Sequence, residues 1–232
     1  TLNSILSQTY EDIEHIIVDG GSTDGTVEIL KEYNHYNKKI IFKEGAGIYE
    51  SMNLGIVEST GEIISILNSD DIYQNENIIS DVMKIAKQKK DISIFLGDVV
   101  YFKNTSFFDI YRYYRAKNFK RWQLTIGLMP PHPPSFIRKK IYEKYGMYYD
   151  KFKIASDFEL FLRLIYKHKI NFIKLNQIIV RMRMGGISGR NFTSYIISTK
   201  EIFESFFLNN LKTNIFKIIL RLPPKLSQYF YF

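Results

Sequence analysis

The sequence predicts an α/β protein with a mostly parallel sheet flanked by helices. Short apolar runs alternate, through the first half of the chain, with stretches of helical spacing. The runs end in Gly, Asn, Asp or Ser, which favour turns and helix caps. Hydrophobic residues make up 45% of the 232 positions, enough for one buried core. Together these features are typical of βαβ units.

The elements follow from the period of the apolar residues. Strands are predicted where apolar runs occur, at residues 14–19, 38–44, 62–68, 91–102 and 170–184. Helices are predicted where the spacing is helical, at residues 2–10, 27–33, 47–60 and 76–90. Residues 133–169 read as two helices around a loop. Ser156 and Glu159 have capping-box spacing, so we predict that Ser156 is the N-cap of the second helix.

Composition excludes several classes of protein. The chain has no cysteine, which excludes a disulfide scaffold and thiolate metal sites and favours a reducing compartment. No apolar run reaches the roughly 18 residues of a membrane span, and no signal peptide is visible. The net charge of +8 suits anionic partners. Because no Lys/Arg block resembles a nucleic-acid arm, we expect no nucleic acid partner.

Two adjacent carboxylates, Asp70 and Asp71, follow the third apolar run directly. Asp19 ends the first run, and ligands of parallel sheets bind beyond the carboxyl ends of strands, so these acids are expected in one crevice. Asn-Ser-Asp-Asp is good turn chemistry. It equally suits a hard divalent cation, Mg²⁺ or Mn²⁺. The local pattern leaves both interpretations open.

Two other stretches have a structural and a functional interpretation. VDGGSTDGT, residues 18–26, lets the backbone approach a ligand but lacks a Walker loop or dinucleotide fingerprint, and a plain turn is the simpler interpretation. Asp157 falls in the first turn of the helix predicted from Ser156, where the macrodipole favours an acid. It is either a dipole-matched surface acid or a fixed carboxylate suited to accept a proton.

Three basic or titratable side chains are further candidates. His132 lies between two proline pairs, which stiffen its segment, and it either lines a pocket or caps a loop. Arg181 and Arg183 occupy alternate positions of a predicted strand and therefore share one face. They contact either phosphate or solvent.

Five stretches, in this order, resemble a bacterial family 2 glycosyltransferase with the Rossmann-like GT-A fold. They are SILSQTYEDIEHIIVDGGSTDGT, GIYESMNLGI, GEIISILNSDD, HPPSFIRKKIYEKYG and SDFELFLRL with the later GGIS. The resemblance covers nearly all of residues 1–190, which we predict to form the GT-A domain. Residues 191–232 form a predicted basic, amphipathic helical tail.

The resemblance implies roles for individual residues. Asp19 is expected at the nucleotide base, with Asp70 near the ribose and Asp71 holding Mg²⁺ or Mn²⁺ on the diphosphate. Asp157 is expected to be the general base. The remaining candidates are Gly20 and Asn53 at the nucleotide, and His132, Arg181 and Arg183 at the acceptor or the phosphates.

The activity implied by the resemblance is inverting, metal-dependent transfer of a hexose from a nucleotide-sugar, expected to be a UDP-sugar. The acceptor is expected to be a glycan or lipid-linked hydroxyl in surface-polysaccharide synthesis, such as lipopolysaccharide. The implied location is cytoplasmic, with peripheral contact at the inner face of the membrane. The alternative is a degenerate copy that binds nucleotide-sugar without catalysis.

The sequence departs from the family pattern in two places. The strand with which the family usually begins is absent, so we expect a fragment or a truncated chain that lacks a central strand. Gly45 stands near the place where relatives often carry an Asp before the GIYESMN stretch. The tail lies outside the resemblance. Its amphipathic pattern fits an anionic membrane, its own domain or a homodimer partner equally well.

Overall fold

The computed structural model of the chain describes residues 1–102, 110–185 and 192–221. Its α-helices are α1 (Leu2–Leu6), α2 (Thr26–Glu32), α3 (Ile48–Glu58), α4 (Ile78–Gln88), α5 (Lys139–Tyr145), α6 (Ser156–Phe161), α7 (Phe192–Leu208) and α8 (Ile215–Ile219). Its strands are β1 (His15–Asp19), β2 (Lys38–Phe42), β3 (Ile63–Ser65), β4 (Ile72–Tyr73), β5 (Ile94–Phe102), β6 (Ile110–Tyr114), β7 (Ser135–Arg138) and β8 (Phe172–Arg183). Two 3₁₀ segments, Ala116–Asn118 and Arg121–Ile126, precede β7, and π-helical turns at Leu162–Lys167 continue α6.

The strands form two sheets. β1 and β2 pair in parallel as a two-stranded sheet. The second sheet has the order β3-β7-β5-β8-β4, with β6 paired to β5. α-helices flank these strands, so the predicted α/β class is confirmed.

The predicted mostly parallel pairing is wrong in detail. Among the described strands, β1–β2 and β5–β8 are parallel, whereas the β3–β7, β4–β8, β5–β6 and β5–β7 pairs are antiparallel. Two of these four antiparallel pairs involve β7, which lies between β3 and β5 in a segment predicted to be helical. Apolar periodicity indicates where a strand occurs but carries no information on its direction.

The core is centred on β5, whose side chains from Ile94 to Val100 are buried. β8 packs so closely beside it that a Cβ on Gly97 would lie 2.0 Å from Ile179 Cγ1. On one flank α4 buries Ile78, Val82 and Ala86, which share a face because they are four residues apart. This arrangement explains why residue 97 has no side chain.

The C-terminal helices pack on the same core. Ile202 and Phe206 of α7 and Ile218 of α8 are buried in a cluster that also contains Phe158 of α6. The predicted domain boundary at residues 190 and 191 lies outside the described residues. No helix in the described ranges is both long enough and apolar enough to cross a membrane.

Candidate active site

A cavity of about 1750 Å³ is lined by residues of both β1 and β3. The two strands do not pair with each other, since β1 pairs with β2 and β3 with β7. Of the predicted site residues, Asp70, His132 and Asp157 line this cavity. The structure therefore brings together the end of β3, the proline-rich segment and the start of α6.

Asp19 organises the turn after β1. Its Oδ1 accepts the Gly21 N–H at 3.0 Å and the Ser22 N–H at 2.9 Å, and its Oδ2 accepts the Ser22 hydroxyl at 2.5 Å. The hydrogen bonds from Ser22, followed by the one from Gly21, hold the pKa of Asp19 below its usual value. The carbonyl of Gly20 accepts the Gly45 N–H at 3.0 Å. Neither Asp19 nor Gly20 lines the cavity, so the predicted base contact stays a prediction.

The adjacent acids Asp70 and Asp71 have opposite environments. Asp70 is exposed and lines the cavity, whereas the Asp71 side chain is fully buried. Asp71 Oδ2 accepts a hydrogen bond from Asn68 Nδ2 at 2.9 Å, and its Oδ1 accepts one from the Arg183 N–H at 3.3 Å. Burial, together with the charge of Asp70, raises the pKa of Asp71 to about 7. The carboxylate aimed at the cavity is therefore that of Asp70, not that of the predicted metal ligand.

Asp157 is half-buried and surrounded by tyrosines that sequence reasoning did not select. Tyr49 and Tyr114 line the cavity with it, and the Tyr49 hydroxyl donates to the Ile154 carbonyl at 2.6 Å. Burial, and then the negative charge of Asp157, raise the pKa of Tyr49. Burial also raises the pKa of Tyr114, and the negative charge of Asp157 adds to this rise. Tyr49 lies in the GIYESMN stretch, but no local signal in the sequence pairs it with Tyr114 or Asp157.

The Ser156 cap predicted for α6 is wrong. Ala155 occupies the N-cap position, and the buried Ser156 hydroxyl has no hydrogen-bond partner in the described part of the chain. Glu159 instead bonds to Arg163 at 2.8 Å and accepts from Asn209 Nδ2 at 2.9 Å. The local pair with Arg163 and the contact with Asn209, 50 residues away, thus take the place of the predicted capping box.

His132 is half-buried in the cavity wall. Its Nε2 lies 2.6 Å from the Tyr148 hydroxyl, which is 3.5 Å from the Tyr142 hydroxyl. Burial lowers the pKa of His132 to about 4, so the imidazole is neutral at pH 7. Since it is neutral, it offers the cavity a hydrogen bond rather than a positive charge.

Three predicted ligand contacts are not assembled at the cavity. The Asn53 amide bonds to the backbone of Tyr148 in both directions, at 2.8 and 2.9 Å. Among the residues of β8, Met182 lines the cavity. Because successive side chains of a strand point to opposite faces, its neighbours Arg181 and Arg183 belong to the other face. Arg181 Nη1 donates to Gln74 Oε1 at 3.1 Å. Asn53, Arg181 and Arg183 do not line the cavity.

Within the described ranges no group of three His, Cys, Asp or Glu side chains is arranged to hold a metal ion. Mg²⁺ is usually held by one or two carboxylates together with substrate phosphates rather than by a protein cage. A single exposed carboxylate, Asp70, fits a cation of that kind.

The family is settled by comparison with known sequences. The profile of Glycosyl transferase family 2 matches residues 1–146, more than half of the chain. The chain belongs to glycosyl transferase family 2. An uncharacterized glycosyltransferase of Rickettsia typhi is 27% identical to this family 2 chain over 224 residues, covering 90% of the chain and 67% of the relative. The chain spans 14% to 67% of the length of the first curated relatives it matches.

Solved structures confirm the GT-A fold. S. aureus TarS 1-349 in complex with UDP-GlcNAc matches with a TM-score of 0.68 and 17% identity, over 91% of this chain and 63% of that one. The mannosyltransferase PcManGT from Pyrobaculum calidifontis, in complex with GDP-Man and Mn²⁺, matches with a TM-score of 0.62 and 18% identity. That match covers 95% of this chain and 63% of the other. At this identity the likeness concerns the fold.

Proposed function

We propose that this family 2 chain transfers a sugar from a nucleotide-sugar donor to an acceptor hydroxyl, with inversion at the anomeric carbon. The observation that carries the proposal is that Asp70 and Asp157 line one cavity in a chain of this family. One carboxylate serves the donor diphosphate and the other serves the acceptor. A general base for the acceptor hydroxyl and a means of stabilising the leaving diphosphate are the two contributions that such a transfer uses.

In the proposed reaction Asp157 is the general base. Its carboxylate takes the proton of the acceptor hydroxyl while the oxygen attacks the anomeric carbon. The bond from that carbon to the diphosphate oxygen breaks, and its electron pair leaves with the nucleoside diphosphate. Because attack and departure are in line on opposite faces, the configuration inverts.

In the proposed donor site Asp70 would hold Mg²⁺ or Mn²⁺. Such a cation would supply neutralisation of the charge on the leaving diphosphate. Asp71, the ligand predicted from the sequence, would have to exchange its bonds to Asn68 and to the Arg183 N–H for the cation. The exposure of Asp70 therefore supports it as the principal ligand.

The donor class is proposed to be a UDP-sugar carrying a hexose. TarS was solved with UDP-GlcNAc and PcManGT with GDP-Man and Mn²⁺, so a GDP-sugar is the alternative to test. The acceptor is proposed to be a glycan or lipid-linked hydroxyl of a surface polysaccharide such as lipopolysaccharide. Neutral His132, on the cavity wall, is proposed to hydrogen-bond the acceptor.

Calorimetric titration of UDP and GDP, with and without Mn²⁺, tests the donor site. We expect one nucleotide to bind only with Mn²⁺, and we expect Asp70→Ala to lose that binding. Nucleotide binding that is unchanged by the removal of Mn²⁺ and by Asp70→Ala would contradict the proposed cation site. No transfer to any acceptor despite Mn²⁺-dependent binding would favour the second candidate, a nucleotide-sugar-binding protein without catalysis. The engagement of Asp71 and Asn53 away from the cavity supports that candidate.

We also propose that α8 makes a peripheral contact with anionic lipid at the cytoplasmic face of the membrane. Phe216 of α8 is 78% exposed, and Leu220, the C-cap residue of α8, is 59% exposed; the basic Lys217 follows Phe216 on the helix. Apolar and basic side chains on one short helix match the interface of an anionic bilayer. The alternative occupant of this surface is a second copy of the chain.

Co-sedimentation with vesicles that contain phosphatidylglycerol tests this contact. Phe216→Glu should reduce binding, whereas Ile29→Glu, which replaces an exposed residue on α2, should not. Equal binding by both variants would contradict the lipid contact. A fall in molecular mass in solution caused by Phe216→Glu, without any change in lipid binding, would instead assign the surface to a homodimer.

A further inference from the structure

The segment that leads into α6 is held by a residue from the C-terminal helix. Glu201 of α7 is buried, and its carboxylate accepts three consecutive backbone N–H groups. Oε1 accepts from Lys153 at 2.7 Å, and Oε2 accepts from Ile154 at 2.9 Å and Ala155 at 2.8 Å. These N–H groups belong to the three residues that immediately precede α6, and the last of them, Ala155, is its N-cap residue. Glu201 therefore fixes the backbone that leads into α6.

The same segment is held from the cavity side by Tyr49. Its hydroxyl donates to the Ile154 carbonyl at 2.6 Å, so the Ile154 peptide groups are bonded from two directions. Asp157 follows two residues after the last N–H group bound by Glu201. Any shift of this segment would therefore move the Asp157 carboxylate relative to the cavity.

A second contact ties α7 to the far end of the same helix. Asn209, just after α7, donates through Nδ2 to Glu159 Oε1 at 2.9 Å, and Glu159 also pairs with Arg163. Between the two contacts, Phe206 of α7 packs on Phe158 with ring centroids 6.0 Å apart. Helix α7 and the residue that follows it thus contact the α6 region both before and after Asp157.

We propose that Glu201 is a positioning residue for Asp157, so that helix α7 sets the geometry of the proposed general base. This inference rests on the proposed function, since it concerns the efficiency of Asp157. It assigns no contact between Glu201 and substrate. It predicts that loss of the Glu201 carboxylate reduces turnover and leaves donor binding intact.

The test compares Glu201→Gln with Glu204→Gln on the same helix. Glu204 is a matched control because its carboxylate is partly exposed and pairs only weakly with Lys200, at 3.7 Å. Glu201→Gln places an amide N–H against backbone N–H groups. We therefore expect kcat to fall about 10-fold to 100-fold with the donor KM nearly unchanged, as a misplacement of about 1 Å can cause. Glu204→Gln should retain the original kcat.

Amide hydrogen exchange gives a readout that is independent of activity. The amides of Lys153, Ile154 and Ala155 should exchange faster in Glu201→Gln than in Glu204→Gln, while those of β5 stay protected. Faster exchange with unchanged kcat would overturn the positioning role and leave the proposed function intact. Unchanged exchange would show that Glu201 does not hold this segment. If the unaltered chain transfers no sugar at all, the proposed function fails, and exchange still reports on the contact between Glu201 and the segment.

Discussion

The turn after β1 and the segment before α6 are each held by a carboxylate that accepts backbone N–H groups, but the two carboxylates differ in their distance along the chain. In the first, Asp19 accepts backbone N–H groups from residues two and three positions later. In the second, Glu201 accepts N–H groups from residues 46 to 48 positions earlier. Both carboxylates are buried, and each holds the backbone of a loop next to a strand or helix. The first forms with its own turn, whereas the second exists only once α7 has docked.

This difference separates the two ends of the proposed site. The hydrogen bonds of the Asp19 turn and the Asn68–Asp71 hydrogen bond join near neighbours in sequence, although Asp71 is also bonded to Thr1 and to the Arg183 backbone. The Asp157 region depends on Tyr49, 105 residues from its carbonyl partner, and on Glu201. We therefore expect substitutions at the donor end, around Asp19 and Asp71, to act on donor binding. Substitutions around Asp157 should act on turnover.

Asp157→Asn gives the sharpest test of this division. Asparagine keeps the size of the side chain but accepts no proton, so we expect kcat to fall by about 1000-fold. Binding of the nucleotide, measured by calorimetry, should remain within about twofold of the unaltered chain, a difference below 0.5 kcal/mol. Substantial turnover in this variant would remove Asp157 from the role of base.

The paired acids provide the next test, at the donor end. Asp70→Asn should weaken Mn²⁺-dependent nucleotide binding on the order of 100-fold, since a catalytic cation is worth several kcal/mol. Asp71→Asn should change that binding much less, because Asp71 is buried and already bonded to Asn68 and Arg183. The reverse order of effects in a Mn²⁺ titration would restore Asp71 as the principal ligand.

Much of the fold was predictable because its signals are local. The apolar runs located β1, β2, β3, β5 and β8, and helical spacing located α3 and α4. Strand β7 was missed, since SFIR follows a Pro-Pro pair inside a segment with helical spacing. Its pairing with β3 and β5 depends on residues 39 to 75 positions away, which no local pattern records.

The site was predictable to the same extent. Acids at strand ends and in the first turn of α6 were identified from the pattern that places them there, and Asp70 and Asp157 do line one cavity. The pattern could not distinguish the exposed Asp70 from the buried Asp71, because Asp71 is in contact with residues distant in sequence, among them Arg183, 112 residues away. It also could not identify Tyr49 or Glu201. Their partners are backbone groups, which every residue carries.

A pair of hydroxyl deletions compares the two loops directly. Tyr49→Phe removes the bond to the Ile154 carbonyl, and Ser22→Ala removes the bond to Asp19. Each should lower the free energy of unfolding by about 1 kcal/mol, as measured in urea. Only Tyr49→Phe should also lower kcat, because only that bond lies beside Asp157. An equal loss of kcat in both variants would break the proposed division between the two ends.

The smallest expected effect concerns the acid stability of the Asp19 turn. Hydrogen bonds from Ser22 and Gly21 lower the pKa of Asp19, so the folded state binds this proton less readily than the unfolded state. The stabilisation is therefore complete above the usual Asp pKa of about 3.9 and is lost as the pH falls through the folded value. Asp19→Asn should be less stable than the unaltered chain by up to about 1 kcal/mol at pH 6, and the gap should narrow towards pH 3. Urea unfolding at both pH values measures it, and a gap that widened on acidification would show that the Asp19 carboxylate is not held in its charged form by this turn.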